Sequence, residues 1–191
     1  DGEFQHDESG WSVSLSSNGN RVAIGARLND GNGNDAGHVR IYNYNGSTWN
    51  QLGQDIDGEG AGDQSGYYGL SLSSDGNTVA IGANTNDGNG SNSGHVRLYN
   101  FDGSNWNQLG QDIDGEVSGD QSGFSVSLSS DGNTVAIGAR GNDGNGNASG
   151  HVRIYNWSGF SWNQIGADID GEAVGDQSGC SVSLSSDGNT V

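Results

Sequence analysis

The sequence predicts an all-β chain of tandem four-stranded antiparallel blades, about 56 residues each, the unit of a β-propeller left as an incomplete ring. Three observations carry that expectation. The phrase QLGQDI ends at Ile56 and Ile113 and its variant QIGADI at Ile169, so the repeat runs 57 and then 56 residues. Each repeat holds short runs in which apolar and small polar residues alternate, the period of a half-buried strand, and none with helical spacing. The length suits propeller blades of ~40–50 residues far better than the short coils of a β-helix.

The repeats divide the chain into units 1–56, 57–113 and 114–169, with a partial fourth at 170–191. The first strand of a unit reads Ser12-Val13-Ser14-Leu15-Ser16, and a tight turn, Asn18-Gly19-Asn20, leads to Val22-Ala23-Ile24-Gly25-Ala26. Such turns supply the positive φ that a hairpin needs. A loop rich in glycine and asparagine reaches the third strand, His38-Val39-Arg40-Ile41-Tyr42, and Asn45-Gly46-Ser47 turns into the fourth, Trp49-Asn50-Gln51-Leu52. Ser12, Ser14, Ala23 and Gly25 make one face of the first two strands small, as crowding near a propeller axis requires, while Tyr42, Tyr44 and Trp49 lie where the wedge widens. The second unit carries one extra residue near Tyr67–Leu70, which a β-bulge would absorb. Three units and 22 further residues cannot close a ring, so the expectation is either a piece of a longer chain or several copies in one assembly.

Composition narrows the function classes. Only 30% of residues are hydrophobic, glycine contributes 36, and 24 acidic residues face six arginines for a net charge of −18. A surface this acidic repels phosphate backbones and anionic lipid, which argues against nucleic-acid partners. No apolar run approaches the ~20 residues that span a bilayer, so membrane insertion is not expected. Asp1 already falls inside a repeat, as in a mature or internal segment. Cys180 is the lone cysteine, in the slot that holds Trp11, Tyr67 and Phe124 in the other units, where a small half-buried residue is expected.

The run GDQSGFSVSLSSDGNTVAIGA (119–139), continued by a glycine-rich loop and GHVRIYN, resembles the FG-GAP repeat of integrin-α-type propellers. Ser122-Gly123-Phe124 stands for the FG element and Gly138-Ala139 for the second, and the likeness extends over every unit. The resemblance implies an extracellular or cell-surface module for adhesion, assembly or ligand binding, without catalysis. A carbohydrate-binding propeller is the alternative, and a propeller hydrolase or lyase with its site in further blades the third. The Asp-x-Asp-x-Asp calcium loop of the family does not carry over, because Asp131-Gly132-Asn133 is too short to wrap a cation.

Among the remaining candidates, the acidic connections are the first metal ligands to consider. Asp57, Glu59 and Asp63 recur as Asp114, Glu116 and Asp120, then as Asp170, Glu172 and Asp176. Closely spaced carboxylates suit calcium, which takes six to eight oxygens; the alternative is that they cap turn N–H groups. The loop 29–34 echoes the opening of an EF-hand without its closing glutamate and reads as a hairpin loop. His38, His95 and His151, each beside Val-Arg, and the recurrent Arg40, Arg97 and Arg153 read as packing or hydrogen bonding, since a catalytic histidine is usually singular. Trp49, Trp106 and Trp162 read as packing between blades rather than as sugar platforms. Sequence differences between units concentrate at 4–6, 60–62 and 117–119, and after the second strand at Arg27, Asn84 and Arg140. Both sets should share one face, and Arg27, Asn84 and Arg140 are the candidates there for meeting a protein or glycan partner.

Overall fold

The computed structural model describes residues 2–191; Asp1, the first residue of the first expected unit, lies outside them. No helix occurs among the described residues, and three antiparallel sheets follow one another without closing a ring. The first sheet runs β1 (Ser9–Leu15), β2 (Arg21–Ala26), β3 (His38–Tyr44) and β4 (Trp49–Gln51), with β5 (Ile56–Asp57) also on β3. The second comprises β6 (Leu70–Leu72), β7 (Thr78–Ala83), β8 (His95–Phe101), β9 (Trp106–Gln108) and β10 (Ile113–Asp114). The third comprises β11 (Ser122–Leu128), β12 (Thr134–Ala139), β13 (His151–Trp157), β14 (Trp162–Gln164) and β15 (Ile169–Asp170).

The outer strand of each blade is split, which the alternation pattern did not reveal. In the first blade β4 pairs with the far half of β3 (Tyr42 opposite Gln51), and β5 with its near half (His38 opposite Asp57). Both pieces are too short to show a period. The bulge expected only in the second unit is also general. Ser9 and Ser12 flank a register shift against Ala26 and Gly25, and Ser122 and Ser125 do so in the third blade. In the second blade the extra residue goes further, and the inner strand is regular only from Leu70.

Blades pack by alternate faces. Ala23, Val39 and Ile41 on one side of the first sheet meet Leu72, Val79, Ile81, Tyr99 and Trp106 of the second. Ala80, Val96 and Leu98 meet Val126, Val135, Ile137 and Tyr155 in the same way. The small residues have a definite use. Ser12 Oγ donates to the carbonyl of Gly66 at 2.6 Å, and the Leu72 amide donates to Ser14 Oγ at 2.9 Å. Gly25, Gly82 and Gly138 lie so close to the carbonyls of Gly66, Gly123 and Gly179 that a Cβ would collide with them. The glycine of the Gly-Ala pair is therefore fixed by the approach of the next blade.

The recurrent tryptophans complete the seam. Trp106 is 3% exposed and its ring N–H donates to the Leu52 carbonyl at 2.7 Å, while Trp162 reaches Leu109 at 2.9 Å. Their role in packing between blades is as the sequence suggested. Trp49, with no described blade on that side, is 46% exposed. Cys180 is exposed rather than half-buried.

Candidate functional site

The variable connections do meet. Thr85 Oγ1 donates to the carbonyls of Gly62 and Asp63 at 2.8 and 2.9 Å, and the Gly141 amide donates to the Asp120 carbonyl at 3.0 Å. On this side the inner strands begin, and an aromatic strip crosses from blade to blade. Trp11 and Tyr67 have ring centroids 5.4 Å apart, Tyr67 stacks on Tyr68 at 3.7 Å, and Tyr68 meets Phe124 at 4.5 Å. The hydroxyl of Tyr68 donates to that of Tyr67 at 2.8 Å. Two guanidiniums lie on the strip: Arg27 at 4.5 and 4.4 Å from the Trp11 and Tyr67 rings, and Arg140 at 3.8 Å from Phe124. Each is held in the plane by a polar neighbour, Arg27 by Glu8 at 2.6 Å and Arg140 by Gln121 at 2.7 Å. Trp11 and Tyr68 keep 46% and 44% of their surface open to solvent.

Of the three ligand-face residues expected from sequence, Arg27 and Arg140 therefore belong to one site. Asn84 does not: it is 4% exposed, and a side chain so buried meets no partner on the surface. The strip itself escaped the sequence reading, although its signal was there in the aromatic slot shared by Trp11, Tyr67 and Phe124.

The acidic connections separate into three kinds of residue. Asp63 and Asp120 are buried caps. Asp63 Oδ2 accepts from the Gly60 amide and from the Asn86 side chain, both at 2.9 Å. Asp120 accepts from the amides of Glu116 and Val117 and from Asn142. Asp176 accepts from the Ala173 amide at 2.8 Å. Asp57, Asp114 and Asp170 sit in β5, β10 and β15, where Asp57 and Asp114 have their carboxyl pKa raised by burial. Glu59 and Glu116 point elsewhere, to a histidine of the following blade, and Glu172 has no such partner among the described residues. The spacing that suggested one ligand set thus distributes its members over different neighbours.

What forms instead is a repeated cluster of Glu3, His38 and Asp55; Glu59, His95 and Asp112; and Glu116, His151 and Asp168. The histidines open β3, β8 and β13 and are 1–3% exposed. Burial pushes the imidazole pKa of all three down, with the adjacent arginine adding to it, and holds His95 at about 4. All three rings are neutral at pH 7. Asp55 is held low by hydrogen bonding from Arg40, whereas Glu59 is raised by burial.

A family model for the FG-GAP repeat matches residues 1–42, 58–99 and 113–155, more than half of the chain. No curated protein matches the chain significantly. Among solved structures, the periplasmic gluconolactonase of Pseudomonas aeruginosa shares 16% identity and a TM-score of 0.53 over 83% of this chain. A putative 6-phosphogluconolactonase from Bacteroides uniformis ATCC 8492 shares 12% identity and a TM-score of 0.52 over the same share. The chain covers 39% of the length of each. Likeness at that identity shows the fold alone. It nevertheless overturns the expectation of a non-enzymatic adhesion or assembly module, because the same blade architecture is found in proteins described as lactonases. What the repeats, the sheets and the family model agree on is the family: the chain belongs to the FG-GAP repeat proteins.

Proposed function

We propose that the chain supplies blades to a propeller hydrolase whose substrate is a negatively charged sugar derivative, of which a phosphorylated sugar lactone is the leading class. The observation that carries this is the strip Trp11–Tyr67–Tyr68–Phe124 with Arg27 and Arg140 upon it. Aromatic faces bury the apolar side of a sugar ring, while arginines match carboxylate or phosphate in a forked geometry. The paired hydroxyls of Tyr67 and Tyr68 and the carboxylate of Glu8 are the groups nearest to hand for moving a proton. The lactone class is taken from the description of the two solved structures of like fold.

The test is to titrate the chain with gluconate and with glucose by tryptophan fluorescence, and to follow 6-phosphogluconolactone hydrolysis by pH-stat. Saturable binding of gluconate over glucose is expected, weakened about fivefold by Trp11→Ala, since a stacked ring contributes about 1 kcal/mol. Equal indifference to both ligands, with hydrolysis no faster than in buffer, refutes the proposal.

A further inference from the structure

We infer that the Glu59–His95–Asp112 and Glu116–His151–Asp168 clusters each bind one divalent transition-metal ion of the zinc class, with the cluster of the first blade closed to metal. This site is separate from the aromatic strip and does not rest on the hydrolase reading.

The argument begins with what each donor atom lacks. Nδ1 of His151, the nitrogen turned to Asp168, is buried without a hydrogen-bond partner, as is Nδ1 of His38 in the first blade, where Arg40 occupies the carboxylates; His95 leaves only Nε2, on the far side of its ring, without one. Buried polar atoms of that kind are rare and costly. His151 Nδ1 lies 3.6 Å from Asp168 Oδ2, and His95 Nδ1 lies 3.5 Å from Asp112 Oδ2 and 3.8 Å from Glu59 Oε2. These contacts are too long for hydrogen bonds. They are close to the ~3.3 Å that separates two ligands on a tetrahedral ion with bonds of ~2.0 Å.

The other oxygens are already spoken for. Gln108 and Gln164 donate to Oδ1 of Asp112 and Asp168, each at 2.6 Å, leaving Oδ2 turned to the imidazole. Glu59 offers Oε2 to His95 while Oε1 lies 3.6 Å from Arg97. Outer partners that orient ligands in this way are typical of metal sites. The side chains of Glu59 and Glu116 are 46% and 48% exposed, so an ion at either cluster is reached from solvent.

The first blade is the internal contrast. Arg40 donates to both oxygens of Asp55, at 2.9 and 2.7 Å, and pairs with Glu3 as well. Its guanidinium sits where the ion would. In the next two blades the equivalent arginines leave the aspartates free: Arg97 and Arg153 donate to the backbone carbonyls of Asp57 and Asp114 at 2.7 Å and meet one oxygen each of Glu59 and Glu116, at 3.6 and 3.8 Å. One imidazole and two carboxylates select zinc-class ions over calcium or magnesium, which prefer oxygen alone.

The experiment is a titration of the tag-free chain, stripped with chelator, with cobalt(II) in excess magnesium to occupy surface carboxylates, read by visible absorption. Two equivalents with tetrahedral-type bands are expected, displaced by zinc. Glu59→Gln and Glu116→Gln, both on exposed side chains, should each remove one equivalent, and the double variant both. Glu3→Gln should remove none. No saturable binding, three equivalents, or a stoichiometry untouched by the two substitutions overturns the inference. Asp112→Asn, expected to remove the same single equivalent as Glu59→Gln, provides an independent check on the site.

Discussion

Replacing Trp106 by alanine tests the account of blade packing, and the chain supplies its own control. Trp106 and Trp49 occupy the same repeat position, yet one is 3% exposed and the other 46%. Trp106 fills the seam with Phe101, and its ring N–H donates to the Leu52 carbonyl. Removing a buried tryptophan leaves a cavity and an unpaired carbonyl, for about 4 kcal/mol. Trp49→Ala removes a half-solvated ring packed on Tyr44, for about 1 kcal/mol. Urea unfolding followed by far-ultraviolet circular dichroism should therefore show the Trp106 variant with a midpoint lower by about 1–2 M and the Trp49 variant shifted far less. Equal shifts would mean that the ring stabilises its own blade and that the inter-blade seam contributes little.

Three other outcomes follow from the same structure. Gly82→Ala drives a Cβ into the Gly123 carbonyl of the next blade and should lower stability by about 3 kcal/mol, measurable as a fall in Tm. Asp120→Ala strips the acceptor from two amides and from the Asn142 side chain and should cost about 2–3 kcal/mol on urea unfolding. For pH, His95 has an ordinary value of 6.5 when unfolded and about 4 in the fold, so the unfolded chain binds a proton in that window which the fold refuses. Stability should rise with pH between about 4 and 6.5 and be lost toward 4, by about 3 kcal/mol from His95 alone. His38, His151 and Asp55 act in the same direction, while the raised carboxyls of Asp57, Glu59 and Asp114 oppose it. His95→Gln should flatten the slope of the urea midpoint against pH, and an unchanged slope would remove His95 as its cause.

Much of the fold was legible because the repeat multiplies each weak signal. Val-Ala-Ile-Gly-Ala, met three times at fixed spacing, marks β2, β7 and β12 far more firmly than five residues can alone. The small face of the inner strands was legible for a physical reason: Ser12 and Gly25 answer a single demand, the approach of the neighbouring backbone. Strands β5, β10 and β15 were not legible, since two residues carry no period and are defined only by pairing with β3, β8 and β13. The sites were harder for a related reason. Arg27 reaches Tyr67 of the next unit, so the strip is assembled across a seam, while Glu59, His95 and Asp112 share one unit but stand on separate segments that only the fold brings together.

Repetition was read as an argument against chemistry, on the ground that a working histidine is usually unique. The structure weakens that ground. In a stack of like units, a position repeated in sequence need not repeat in environment, because every site between blades takes part of its lining from a neighbour. Arg40, Arg97 and Arg153 are the same residue at the same point of the third strand. Arg97 and Arg153 find a carbonyl of the preceding blade, at Asp57 and Asp114, and are drawn to it. Arg40 holds Asp55 and Glu3. One sequence pattern thus yields two arrangements: the first blade's arginine clamps its aspartate, while in the others the arginine meets only the glutamate and the aspartate faces the imidazole. Histidines that recur in every unit should therefore be compared by the neighbours they meet before being set aside as scaffold.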